Sequence, residues 1–213
     1  MSTTYRPLLV KYLSKTRTYS CKGITLEIPP QVFHPGFFFS TRLLLRYIEK
    51  DRFQHRSVLE LGAGSGLLSI YAAKKGAMVT ATDISPIAVE CIQKNAEENQ
   101  VEVKVIHSDL FENIPQHKFD VVLINPPYYR KKPSSVADYA WYCGEKGEYF
   151  QKLFKHLYNY VHKHSDVLMV LCDGCDLSMI EGLAKQNGFS MRCVRVQRTI
   201  IENNYIFRIQ WFQ

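Results

Sequence analysis

Asn125-Pro126-Pro127-Tyr128 brings together an amide, two prolines and an aromatic ring. An amide oxygen and a neighbouring carbonyl can both accept hydrogens from one planar amino group, and a ring can lie against its flat face. Phe-Asp-Val-Val-Leu-Ile, residues 119–124, leads into it. Such an apolar run reads as a buried parallel strand. The prolines stop it, because neither has an N–H for the ladder. At the carboxyl end of a strand in an open α/β sheet, this turn lies where ligands bind. Its expected chemistry is a grip on a planar nitrogen. A plain β-turn is the competing reading.

A second cluster lies upstream, in Glu60-Leu61-Gly62-Ala63-Gly64-Ser65-Gly66. It follows a short apolar run and precedes a helical pattern. Glycines permit a tight turn and close approach of a ligand to backbone. A dinucleotide site needs G-x-G-x-x-G. Here the spacing is G-x-G-x-G, with an acid two residues before the first glycine. A carboxylate there repels a pyrophosphate and suits a cation. S-adenosylmethionine carries an ammonium and a sulfonium.

Asp83 and Asp109 each close a further apolar run. An acid at the place of Asp83 commonly accepts hydrogen bonds from ribose hydroxyls; it could instead cap the helix beginning at Ser85-Pro86. Asp109 could reach an adenine amino group, with Leu110 against the ring, or be a surface loop acid. With Glu60 they form a row of acids at the carboxyl edges of successive strands, an arrangement that would surround an adenosine-containing ligand.

The elements that must position these groups alternate. Strands are expected at 57–61, 78–82, 101–107, 119–124, 167–172, 190–196 and 205–212. Helices are expected from the glycine loop to about 75, over 86–99, 147–164 and 177–186. The class is α/β in three layers: a mainly parallel seven-stranded sheet, covered on both faces, with one antiparallel strand near the C-terminus. Ahead of this, residues 24–28 alternate like a half-exposed strand, and Ser40-Thr41 reads as the cap of an amphipathic helix.

Two units are expected: a basic N-terminal segment over residues 1–50 with an entry helix, and a ligand-binding domain over 51–213. The net charge of +7 comes entirely from residues 1–56, with ten Lys/Arg against three Asp/Glu; residues 57–213 hold 17 of each sign. Such asymmetry points to an anionic partner or to a solvated basic face. No apolar run approaches the length of a membrane span, and the first 25 residues lack a signal-peptide core, so a cytoplasmic protein is expected. Cys172-Asp173-Gly174-Cys175 reads as a pair of core thiols, since no second ligand pair accompanies it. The seven histidines show no ligand spacing, and no metal is expected.

In this order, the glycine loop, Asp83, Asp109 and Asn125-Pro126-Pro127-Tyr128 resemble the Rossmann-like class I methyltransferases, in particular the HemK/PrmC-type N-methyltransferases. The likeness runs from about residue 33 to the end. Val32-Phe33-His34-Pro35-Gly36 and Thr41-Arg42-Leu43-Leu44-Leu45 look like the entry segment of that group, where a threonine touches the cofactor. Ala140-Trp141-Tyr142-Cys143-Gly144-Glu145-Lys146-Gly147 resembles the loop after its active site. The resemblance implies S-adenosylmethionine as cofactor, held by Thr41, Glu60, Gly62, Gly64, Gly66, Asp83, Ile84, Asp109, Leu110 and Asn125. It implies catalysis by Asn125, Pro126, Pro127 and Tyr128. The implied acceptor is a protein glutamine side chain, as in release factors, or alternatively adenine N6 in RNA or DNA. Some single-domain relatives also need a small partner subunit. A nicotinamide-dependent oxidoreductase and a non-catalytic binding module are competing classes; the glycine spacing disfavours the first and the intact tetrapeptide the second. Arg130-Lys131-Lys132 after the motif could hold phosphates or an acidic protein surface.

Overall fold

The computed structural model describes residues 12–199 and 202–212. The first eleven residues of the basic segment therefore lie outside the described residues. Seven strands form the main sheet: β3 (Ser57–Leu61), β4 (Met78–Asp83), β5 (Val103–His107), β6 (Phe119–Ile124), β7 (Val161–Cys172), β8 (Phe189–Arg198) and β9 (Asn203–Trp211). Their order is β5-β4-β3-β6-β7-β9-β8. All neighbours pair in parallel except β9, which is antiparallel to both β7 and β8. The expected single antiparallel strand is β9.

Among the described residues, five helices flank the sheet: α1 (Phe39–Ile48), α2 (Leu67–Lys74), α3 (Pro86–Glu98), α4 (Glu148–Leu157) and α5 (Leu177–Gln186). The period-two alternation of strands divides the core. Val121 and Leu123 of β6 face a cluster with Leu44 of α1 and Leu68 of α2. Val122 and Ile124 face the opposite cluster, with Phe150 and Phe154 of α4 and Ile180 of α5. Residues 121–124 are at most 1% exposed. At about 2 kcal/mol per buried side chain, these four alone rival the net stability of a domain. A register slip of one residue would exchange the two faces, so β6 and the turn that follows it are fixed in place.

Two elements depart from the sequence expectation. The helix expected over 147–164 ends at Leu157; a 3₁₀ turn, Tyr158–Tyr160, leads into β7 at Val161. Phe150, Leu153, Phe154 and Leu157 exhaust the apolar helical face. The polar tail His162-Lys163-His164-Ser165-Asp166 is instead a bulge in β7. Ser165 Oγ accepts from His162 N at 2.8 Å and donates to Phe119 O at 2.6 Å. Second, Ser40 and Thr41 do not cap α1. Phe38 occupies the cap position without a side-chain hydrogen bond, and both hydroxyl residues are buried within the first turn.

A strand not foreseen, β1 (Arg17–Cys21), pairs antiparallel with β2 (Ile24–Ile28). Lys22 and Gly23 turn the hairpin with φ of 54° and 72°, the conformation two-residue hairpin loops require. The free edge of β2 is satisfied by amide side chains of α3 and its C-terminal cap. Asn95 Oδ1 accepts from Glu27 N at 2.8 Å, and Asn99 Oδ1 from Thr25 N at 3.2 Å. Their amide nitrogens donate back to Glu27 O and Thr25 O. Asn95 Nδ2 also donates to Ser65 O at 3.0 Å. One fully buried side chain thus ties the N-terminal hairpin to the glycine loop. Asn95→Ala leaves these backbone groups buried without partners and should cost about 3 kcal/mol, measured by urea denaturation.

Candidate active site

The carboxyl ends of β3, β4, β5 and β6 open into one cleft of about 1070 Å³, part of it open to solvent. Thr41, Glu60, Gly62, Gly64, Asp83, Ile84, Asp109, Leu110, Asn125, Pro126, Pro127 and Tyr128 all line it. Gly66 does not. It is the N-cap of α2, at φ 81°, and a Cβ there would come within 3.2 Å of Ile92.

The glycine loop is shaped from below. Glu60, 5% exposed, accepts from Ser69 N at 2.8 Å and from the Ser69 hydroxyl. Burial pushes its pKa up to about 7 against the lowering effect of those bonds. Asp83 Oδ2 accepts from Gly64 N and Oδ1 from Ser85 N, each at 2.9 Å. Burial raises its pKa as well, opposed by these backbone donors. Ser85, rather than Asp83, caps α3 through Ala88 N. Each Asp83 oxygen keeps a lone pair for a ligand hydroxyl.

Asp109 is paired with Lys152 of α4 at 2.6 Å, and Lys152 also meets Glu112 at 2.5 Å. Leu110 sits at φ 52°, an uncommon conformation for a non-glycine residue. Ser108 Oγ donates to Leu110 O at 2.9 Å and so fixes the turn.

At the end of β6 the Asn125 amide is held from both sides. Nδ2 donates to Thr41 Oγ1 at 3.0 Å, and Oδ1 accepts from the Tyr128 hydroxyl at 2.6 Å. Burial holds the Tyr128 pKa well above its ordinary value, so the phenol stays a donor. The ring of Tyr128 was expected to lie against a planar group; its hydroxyl has the further job of aiming Asn125. Tyr128 N and Tyr129 N both donate to Trp141 O, at 3.1 and 2.9 Å, which anchors the loop after the motif.

Several further residues line the cleft without having been assigned a site role from the sequence, although Val32, Phe33, Pro35 and Ala140 lie in segments named there. Gln31, Val32, Phe33 and Pro35 come from the N-terminal segment, Val136, Tyr139 and Ala140 from a 3₁₀ turn, and Tyr149 from α4. Phe33 packs against Phe38 and Trp141 at centroid distances of 4.5 and 5.5 Å and bridges two of these segments. The signal for Phe33 was its place in the 32–36 segment; Lys152 and Asn95 left none. Arg130 pairs with Asp176 at 3.0 Å and Lys131 lies over the Tyr142 ring. Cys172 and Cys175 are free thiols 3.9 Å apart and buried. Among the described residues, no cluster of three or more His, Cys, Asp or Glu is placed to hold a metal, and no helix is long and apolar enough to cross a membrane.

Residues 24–141 match the family model described as methyltransferase small domain. The chain is 38% identical over 148 residues to "Putative protein N5-glutamine methyltransferase MJ0928" of Methanocaldococcus jannaschii, covering 67% of this chain and 73% of that protein. The chain belongs to the methyltransferase small-domain family. It is an S-adenosylmethionine-dependent methyltransferase. It is also 35% identical over 150 residues to the ribosomal RNA small subunit methyltransferase C of Haemophilus influenzae, covering 65% of this chain but 44% of that relative. Two solved structures share the fold. The T. thermophilus 16S rRNA N2 G1207 methyltransferase in complex with AdoMet and guanosine has a TM-score of 0.66, at 21% identity over 93% of this chain and 50% of that one. The E. cuniculi Mtq2-Trm112 complex, responsible for methylation of the eRF1 translation termination factor, also gives 0.66, at 20% identity over 85% and 99%.

The residues present fit the cofactor of this methyltransferase family. Gly62 and Gly64 have φ of 67° and 56°. A Cβ on Gly62 would meet nothing within 4 Å, and one on Gly64 only Phe33 at 3.7 Å. The absent side chains leave cleft space above the backbone, open to an adenosyl ligand. Glu60 ionised suits its cationic end. Because the Glu60 pKa is raised in the fold, its neutral form is favoured below about 7. The stability it contributes is present below the unfolded carboxylate value and is lost as pH rises through about 7. Cofactor affinity should run the other way, rising with pH and levelling above about 7. Calorimetric titration across this range checks it; Glu60→Gln should flatten the profile.

Proposed function

We propose that this protein methylates a side-chain amide nitrogen of a protein glutamine. The observation that carries the chemistry is the Asn125 amide, fixed between Thr41 and Tyr128 at the end of a strand buried on both faces. The likeness to the M. jannaschii protein supports glutamine as the acceptor. The likeness to the rRNA enzyme supports a second reading, a nucleobase amino group.

S-adenosylmethionine supplies an electrophilic methyl on its sulfonium. Glu60 would face its cationic end, Asp83 would accept from ribose hydroxyls, and Asp109 would accept from the adenine amino group, with Ile84 and Leu110 against the ring. Lys152 holds one Asp109 oxygen and leaves the other free. Thr41, at the junction of the two subsites, aims Asn125 through its hydroxyl.

An amide nitrogen is a poor nucleophile because its lone pair is delocalised. Asn125 Oδ1 has one lone pair engaged by Tyr128 and one to offer an acceptor N–H. The Pro126 carbonyl accepts the second hydrogen, and Pro127 keeps the turn rigid. Accepting both hydrogens favours a pyramidal nitrogen with its lone pair toward the methyl. This is positioning and electrostatic stabilisation, with no proton abstraction before transfer: the N–C bond would form as the S–CH3 bond breaks, the neutral thioether would leave, and the nitrogen would then lose its extra proton to solvent. The Tyr128 ring packs on the flat acceptor group. A small partner subunit, as in the E. cuniculi complex, remains part of this proposal.

Asn125→Ala should lower turnover by at least about a hundredfold while cofactor affinity stays near that of the parent. Radiolabelled methyl from the cofactor, chased into cell extract, should enter protein and resist nuclease. Mass spectrometry should place it on glutamine. Label on adenine would replace this acceptor with the second reading, and full activity of Asn125→Ala would remove the mechanism.

A further inference from the structure

The excess positive charge of the N-terminal quarter has a definite place. On α1, Phe39, Arg42 and Arg46 occupy positions i, i+3 and i+7, one helical face. The opposite face is buried: Leu44, Leu45 and Ile48 are at most 1% exposed. The exposed stripe continues onto the hairpin. Arg42 lies over the Phe39 ring at 4.8 Å, and Phe37, two residues before Phe39, carries the row toward the hairpin. Tyr19 packs edge-on to His34, His34 to Phe37, and Phe37 to Tyr12. Arg17 closes the row over the Tyr12 ring at 3.8 Å.

Three guanidiniums in this row have no carboxylate partner among the described residues. The acids of the same segment are directed elsewhere: Glu27 pairs with Lys94, and Glu49 with Lys22. Arg42 Nε is buried with no acceptor. Tyr12, Phe37 and Phe39 are 40%, 37% and 36% exposed. Arginine and aromatic residues around a partly apolar patch are the composition of a protein-binding hot spot. A single-stranded nucleic acid would need open ring faces for base stacking. Here Arg17 and Arg42 already cover a face of Tyr12 and of Phe39. Arg17 Nε donates to Tyr12 O at 2.8 Å and Arg42 Nε is buried, so it is the terminal Nη groups that remain for carboxylates, which they match in bidentate geometry.

Chain neighbours of the row line the cleft: Phe33 and Pro35 on either side of His34, and Thr41 beside Arg42. Thr41, on the same helix, holds Asn125, and Phe38 packs against Trp141 at 4.9 Å. We propose that this arginine–aromatic face docks an acidic, aromatic-containing segment of the substrate protein, which rests on the protein-glutamine reading above. Docking here would hold the substrate beside the Asn125 turn without touching the reacting atoms.

The probe is a fluorescein-labelled Glu–Tyr copolymer, with a labelled single-stranded adenine oligoribonucleotide of matched charge. Anisotropy is measured on the full chain, on Arg17→Glu/Arg42→Glu/Arg46→Glu, and on Lys74→Glu/Lys75→Glu/Lys185→Glu, exposed lysines elsewhere on the surface, as a control of equal charge change. The copolymer should bind, and the arginine reversal should weaken it about tenfold or more, with the lysine control closer to the parent. Arg→Gln at the same three positions should give an intermediate loss, and cofactor affinity unchanged in all variants shows that they fold. No binding of the copolymer, or equal loss in the lysine control, overturns the proposal. Preferential binding of the oligonucleotide through the same arginines also overturns it and gives the face to nucleic acid. Methylation of a short neutral glutamine peptide is followed in parallel. Unchanged kcat in the arginine variant keeps docking separate from chemistry. Label never entering glutamine defeats the acceptor reading and removes the substrate role of the face, whatever the copolymer does.

Discussion

Burial of β6 on both faces is the constraint on which the rest depends. Its residues 121–124 have no solvent-facing side, so the strand has a single register and a single end point. Asn125 is the first residue beyond it, and the two prolines prevent the ladder from continuing. The amide therefore emerges at a defined place on the cleft wall. Thr41 from α1 and Tyr128 from the turn itself then fix its rotation. Neither hydroxyl would suffice alone, since one hydrogen bond leaves an amide free to flip. Sheet packing supplies the position of Asn125, and the two hydroxyls supply its direction.

The polar groups around the cleft differ in what they contribute. The Lys152 pair with Asp109 is partly exposed, and such pairs contribute little to stability. Its role is to orient one carboxylate oxygen. Glu60 is buried, and its Ser69 bonds offset only part of the desolvation of its charged form. An acid whose charged form is disfavoured by burial is costly to the fold as pH rises, and a cation in the cleft would relieve that cost. Asn95 is uncharged, fully buried and bonded on both ends, so it adds stability while joining hairpin, helix α3 and glycine loop. The N-terminal segment that lines the cleft at Phe33 is thus held by the same residue that steadies the loop beneath it.

Much of this was legible in the sequence because it obeys short-range rules. The alternation of strands and helices, the glycine loop and the prolines after β6 each carry a local signature, and the sheet follows from them. The missed features are tertiary. Ser40-Thr41 has the composition of a cap, but Phe38, packed against Trp141, holds the cap position two residues before Ser40, and Thr41 turns toward Asn125 within the first turn. The polar run His162-Lys163-His164-Ser165 resembles the exposed face of a helix, yet Ser165 closes a bulge on Phe119. β1 was hidden because Lys22-Gly23 is a weak hairpin signal without its partner strand. No local pattern announces that Asn95 and Asn99 pair with an edge strand about seventy residues away.

The Tyr128 hydroxyl donates to Asn125 Oδ1 and so directs the amide proposed to hold the acceptor nitrogen. Tyr128→Phe keeps the ring and removes only that donor. With a methyl-accepting substrate in hand, steady-state kinetics should show kcat reduced about tenfold, the equivalent of one hydrogen bond, with calorimetric cofactor affinity unchanged. An unaltered kcat in Tyr128→Phe would show that this hydroxyl does not direct Asn125 for catalysis.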